Sequence, residues 1–149
     1  MSDYNEELSE LHQLVVQEEL GLPATIDDES GWVQFTHPDL GEVAIVLREY
    51  NPEYMVISCT FFHDKTRKRE DLMRVCNQVN GEEFAKLSVS DAGFVRAEVG
   101  LFVAAPRNKM TIKGKLFPDE EFLRAVYRLA ISSLNSAVES FTTELEKLG

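Results

Sequence analysis

The sequence predicts an α+β fold: an antiparallel β-sheet of about five strands, in the order α-β-β-β-α-β-β-α, with helices mainly on one face. Three observations carry this. Tight turns separate three short alternating runs between residues 32 and 63. A helix–hairpin–helix stretch then runs from Leu72 to Leu148. Each strand run also has one strongly apolar side, as expected of a sheet covered by helices on that side.

A chain of 149 residues, 44% apolar and 28% charged, is most simply one domain spanning 1–149, with enough mass for a real core. Asp3 to Leu20 reads as a helix. Leu8, Leu11, Leu14 and Val15 share one side, Glu6, Glu7, Glu10 and Glu18 face away, and Gly21-Leu22-Pro23 stops it. Thr25 to Gly31 is a polar, turn-rich connection. Strands are expected at Trp32–Thr36, Val43–Arg48 and Tyr54–His63, with turns at His37–Gly41 and Asn51-Pro52. In the third strand, Met55, Ile57, Cys59 and Phe61 fall on one face. Tyr54, Val56, Ser58, Thr60 and Phe62 fall on the other.

A short helix, Asp71 to Asn80, buries Leu72, Val75, Cys76 and Val79 and ends at Asn80-Gly81. The hairpin follows: Ala85–Ser90, a turn at Asp91-Ala-Gly93, then Phe94–Val103. Leu87, Val89, Val95, Ala97, Val99, Leu101 and Val103 face inward, and Lys86, Ser88, Arg96 and Glu98 face outward. Residues 104–116 read as a loop or frayed strand, with Met110–Lys113 extending the sheet edge. The closing helix opens at Pro118-Asp-Glu-Glu and carries the stripe Leu123, Val126, Tyr127, Ala130, Leu134, Ala137, Val138, Phe141 and Leu145.

The charge pattern narrows the function. A net charge of −11 argues against general nucleic-acid binding. Residues 1–30 hold Asp3, Glu6, Glu7, Glu10, Glu18, Glu19, Asp27, Asp28 and Glu29 and no Lys or Arg. Two basic islands interrupt this: Lys65, Arg67, Lys68 and Arg69, then Arg107, Lys109, Lys113 and Lys115. Either island suits an acidic segment or phosphate of a partner, although compensating charge on an acidic protein explains them more simply. The acidic start without an apolar core is unlike a signal peptide. No run approaches the roughly 20 residues of a membrane span, so a cytoplasmic location and no membrane partner are expected.

Catalytic patterns are missing from the sequence. His12, His37 and His63 are scattered and read as surface or helix-end histidines. Cys59 and Cys76 read as small core hydrophobes. Asp27-Asp28-Glu29 lacks the alternating ligands of a calcium loop. There is no phosphate-cradling glycine motif, and no metal, cofactor or catalytic residue is expected. The outward residues Tyr54, Val56, Phe62, Phe94 and Phe102 form surplus apolar surface if helices cover only one face.

Cys76-Asn-Gln-Val-Asn80, Phe84-Ala-Lys-Leu-Ser88, the Asp91-Ala-Gly93 turn and Pro118-Asp-Glu-Glu-Phe-Leu123 resemble the YbjN-type family. Its members are often labelled bacterial sensory transduction regulators. That family is similar in fold to the type III secretion chaperones, small acidic dimers that bind extended segments of secreted effectors. The resemblance covers residues 70–145 best and implies a non-catalytic, homodimeric binding module. A ligand-responsive regulator, with a pocket between sheet and helices, is the alternative. Phe94, Phe102 and the eight basic residues named above are the candidate partner-binding positions.

Overall fold

A computed structural model describes residues 5–48, 54–103, 110–112 and 115–149, with 110–112 and 115–117 described at the backbone alone. Three helices lie on one face of a six-stranded open antiparallel sheet of order β1-β2-β3-β4-β6-β5. The strands are β1 (Ala24–Ile26), β2 (Val33–His37), β3 (Gly41–Leu47), β4 (Tyr54–His63), β5 (Lys86–Val89) and β6 (Phe94–Phe102). The predicted α+β order holds, with one strand more than the sequence suggested.

That extra strand is β1, which pairs with β2 from Ala24↔Phe35 to Ile26↔Val33. Only three residues separate Pro23 from the Asp27 turn, too few for an alternation to show. The turn that follows is the polar connection expected, with Asp27 accepting from the Glu29 amide at 3.0 Å.

Helix α1 (Glu6–Val15) is capped by Asn5, whose side chain accepts from the Leu8 amide at 3.1 Å. Asp3, where the sequence places the start of this helix, lies outside the described residues. From Val16 to Leu20 the helix widens into a π turn, closed by Gly21 at φ 67. The wider turn buries the consecutive Val15 and Val16 and leaves Leu14, expected in the stripe, 41% exposed. It also brings Glu18 and Glu19 to Arg124 and Arg128 of the closing helix.

Strand β4 is interrupted by a β-bulge. Thr60 pairs with Arg96 but Phe62, not Phe61, pairs with Val95. The extra residue reverses the alternation, so Phe62 turns inward. Both Phe61 and Phe62 rings sit 5.2 Å from the ring of Phe141, which is fully buried. Phe62 therefore belongs to the core side and not to the outward apolar set.

Helix α2 (Arg69–Asn80) buries the predicted Leu72, Val75, Cys76 and Val79. The Asp91–Gly93 turn has Gly93 at φ 85, the positive angle that favours glycine. Strands β7 (Met110–Ile112) and β8 (Lys115–Phe117) pair with each other as a separate hairpin, so Met110–Lys113 does not extend the main sheet. Helix α3 (Glu120–Lys147) is capped by Asp119, which accepts from Phe122 N–H at 3.1 Å. Pro118 precedes the cap instead of occupying the first turn. Ile131 joins the buried stripe, and Val138 is only partly buried. No helix among the described residues is long and apolar enough to cross a membrane.

Candidate functional site

One face of the sheet carries the core, and among the described residues no helix lies on the other. Inward side chains on β2, β3, β4, β5 and β6 (Val33, Phe35, Val43, Ile45, Met55, Ile57, Cys59, Leu87, Val95, Ala97, Val99) are buried beneath the helices. Their alternates form the open face: Trp32, Gln34, Ala44, Val46, Ser58, Thr60, Ser88, Arg96 and Glu98, with Phe94 and Phe102. Phe102 is 73% exposed and Phe94 42%. The two rings stand at opposite ends of β6, with Arg96 and Glu98 between them.

Two hollows mark this face. One, of about 320 Å³, is bordered by Trp32, Glu42, Ala44, Val46, Ser58 and Glu98. The other, of about 370 Å³, is bordered by Ser88, Ser90 and Phe94. Thr60 and Arg96 border both, so the two hollows adjoin across the strands, and together they make the trough of this face. In register, Arg96 lies between Thr60 of β4 and Ser88 of β5, and Glu98 lies between Ser58 and Lys86.

Aromatic packing fixes both ends of β6. The His63 ring stacks on Phe94 at 3.9 Å and 10°, while its Nε2–H donates to the Ala92 carbonyl at 3.2 Å. At the other end Tyr54 lies 5.2 Å from Phe102 and spreads over Gly100. A Cβ at residue 100 would sit 2.2 Å from the Tyr54 hydroxyl, so only glycine admits the ring in that position.

Side chains engage both edges of the sheet. Asn80 mimics a strand residue: its amide donates to the Leu87 carbonyl at 2.9 Å and its carbonyl accepts from Leu87 N–H at 2.7 Å. Arg69 donates to the carbonyls of Val89 and Ser90, both at 3.1 Å. Thus side chains engage the outer edge of β5 at Leu87, Val89 and Ser90. At the opposite edge, Gln13 donates to the Ala24 carbonyl at 2.9 Å. Neither the strand mimicry of Asn80 nor the carbonyl clamp of Arg69 is legible in the sequence, where Asn80 reads as a helix end.

The first basic island divides. Arg67 pairs with Asp64 at 3.7 Å, and Arg69 is engaged at the β5 edge, with Asp91 3.7 Å away. Thr66 and then Arg67 hold the Asp64 carboxyl below its ordinary range. Lys65 and Lys68 are exposed in the turn that follows His63, whose ring stacks on Phe94. Arg107, Lys109 and Lys113 lie outside the described residues, and Lys115 is described only as backbone in β8.

His12 is a correction to the sequence reading: it is fully buried, not a surface histidine. Its Nδ1 shares a 2.6 Å hydrogen bond with the equally buried Tyr127 hydroxyl, and Nε2 has no partner among the described residues. Burial lowers the imidazole pKa to about 3 and pushes the Tyr127 hydroxyl up. With no exposed atom the pair has no access to substrate, so it belongs to the core. Burial likewise raises both free thiols, Cys59 and Cys76, to about 11, consistent with their expected place among hydrophobes. Among the described residues no three His, Cys, Asp or Glu side chains gather as a metal site.

Fold and site together define a small α+β module with one sheet face left open. No family model matches the sequence, and comparison with curated proteins gives no match. Solved structures do share its fold. A chain of the ExsC–ExsE complex has a TM-score of 0.57 and 12% identity over 92% of each chain. A chain of the HopA1–SchA chaperone–effector complex has a TM-score of 0.54 and 11% identity over 95% of each chain. YbjN from E. coli has a TM-score of 0.54 and 12% identity over 87% of this chain and 86% of that one. The YbjN-type, secretion-chaperone-like fold implied by residues 70–145 therefore extends over 87–95% of the chain.

Proposed function

We propose that this protein is a non-catalytic, chaperone-like module that binds a segment of a partner protein on the open face of its sheet. The carrying observation is that face itself: Trp32 and Phe94 stand exposed at the trough that holds Arg96 and Glu98, Phe102 stands exposed farther along β6, and no helix among the described residues covers them. Aromatic residues and arginine are the types that dominate binding energy at protein interfaces. Two of the similar folds were solved as two-protein complexes, one of them a chaperone with its effector, which supports the same reading. The trough lies outside the sheet–helix layer where a small-molecule pocket was expected.

Homodimer formation belongs to the same proposal. Phe84, before β5, and Leu129, on α3, are 63% and 69% exposed and offer apolar surface away from the open face. Lys65 and Lys68 would add attraction for an acidic stretch of the partner at the Phe94 end.

A display library of random 20-residue segments, selected on the intact chain, tests the partner surface. Selected segments should lose binding to Phe94→Ser/Phe102→Ser and retain it for Leu129→Ser. Selection of segments indifferent to Phe94 and Phe102 would refute it.

A further inference from the structure

The open face of β6 is a linear pattern: Phe94, Arg96, Glu98, Gly100 beneath Tyr54, and Phe102. Outward residues of a strand recur about every 6.8 Å, which puts Phe94 and Phe102 about 27 Å apart. A guanidinium and then a carboxylate stand between them.

The backbone decides what can cover this pattern. The N–H and C=O groups of β3, β4 and β6 lie in the plane of the sheet and bond neighbouring strands on both sides. They offer nothing to a ligand lying on top. An extended segment needs a sheet edge to satisfy its own backbone. The β5 edge is engaged by Asn80 at Leu87 and by Arg69 at the Val89 and Ser90 carbonyls, and the three-residue β1 edge is engaged by Gln13 at the Ala24 carbonyl. An α-helix satisfies its backbone internally and brings only side chains to the surface.

Accordingly, we propose that the open face is a docking site for an amphipathic α-helix of the partner, lying along β6. The inference rests on the partner-binding reading above and names the partner's chemistry. At 1.5 Å per residue the helix spans Phe94 to Phe102 in about 18 residues. Its docking stripe carries an apolar side chain over Phe94 and another over Phe102. An acidic residue four or five positions after the first anchor meets Arg96, and a basic residue a further four or five positions on meets Glu98. Trp32, the only tryptophan of the chain, borders the trough and reports its occupancy.

The test uses the intact chain, Trp32 emission and three synthetic 20-residue peptides. One carries the matching pattern, one exchanges its acidic and basic residues, and one is the matching peptide with two central prolines. The matching peptide should bind at least ten-fold tighter than the exchanged one and gain helical circular dichroism, and the proline peptide should not bind. Misplaced like charges at an interface cost enough to give that ratio. In Arg96→Glu/Glu98→Arg the preference should reverse, and in Arg96→Gln it should shrink. Equal binding of the matching and exchanged peptides, or binding of the proline peptide, overturns the helix. So does a concentration-dependent change in Trp32 emission without peptide, which would place a second copy of the chain on the face. Extended library segments that bind, gain no helix and lose affinity in Phe94→Ser/Phe102→Ser would overturn the helix while leaving the binding module standing. Segments indifferent to Phe94 and Phe102 remove both.

Discussion

Acid should destabilise this protein most strongly through His12. Its imidazole is fully buried against Tyr127, with no charged side chain among its hydrogen-bond partners, and its pKa falls from 6.5 to about 3. As pH drops below 6.5 the unfolded chain takes up a proton at this position and the native chain does not. Stability is therefore complete above pH 6.5 and lost progressively as pH falls toward 3. From these two pKa values the loss is about 2 kcal/mol at pH 5 and approaches about 5 kcal/mol below pH 3. Against a typical total of about 5–15 kcal/mol that is a large share. His12→Gln keeps a polar side chain within reach of Tyr127 but cannot titrate in this range. Urea unfolding of both proteins at pH 8 and pH 5 isolates the contribution. The wild-type midpoint should fall by about 1 M more than that of His12→Gln, taking a slope of about 2 kcal/mol/M. Parallel losses in the two proteins would refute the burial argument.

Asn80→Ala should cost about 1–2 kcal/mol in chemical denaturation, since two hydrogen bonds to Leu87 are lost. It should also promote edge-to-edge association visible by light scattering, because the β5 edge is uncovered. Gly100→Ala should shift the Tyr54 ring, and a double-mutant cycle with Tyr54→Ala should show the cost of the methyl disappearing once the ring is gone. Cys59 and Cys76 should resist a thiol reagent at pH 8 in the native protein and react on denaturation; rapid native labelling would contradict their burial. Arg124→Met should lower Tm in dilute buffer, with the difference shrinking in 1 M salt as the pairs with Glu18, Glu19 and Glu120 are screened.

Much of the fold was legible in the sequence because it is written in local periodicity. The two faces of β6, the stripe of α2 and most of α3 follow from spacing alone. Long-range partners were not legible. The β4 bulge is set by pairing with β6, so Phe62 read as outward until Val95 was seen opposite it. His12 sits four residues after Leu8 and three before Val15, a core position, but Tyr127 lies 115 residues away. The open face was half visible. Phe94 and Phe102 follow from hairpin alternation, whereas the trough joining Trp32 to Arg96 depends on a strand order that places β6 beside β4. Asn80 and Arg69 read as a helix end and a basic run because edge capping exists only once β5 is folded against α2.

The central claim is that the uncovered sheet face, not the helical side, receives the partner. Backbone and side-chain NMR shifts of the intact chain, followed during titration with a library-selected segment, test this most directly. The account predicts changes concentrated at Trp32, Ser58, Thr60, Phe94, Arg96 and Phe102, with Leu129 and the outer side of α3 unmoved. Changes confined to α3 and the Phe84 region, with the sheet face silent, would contradict it.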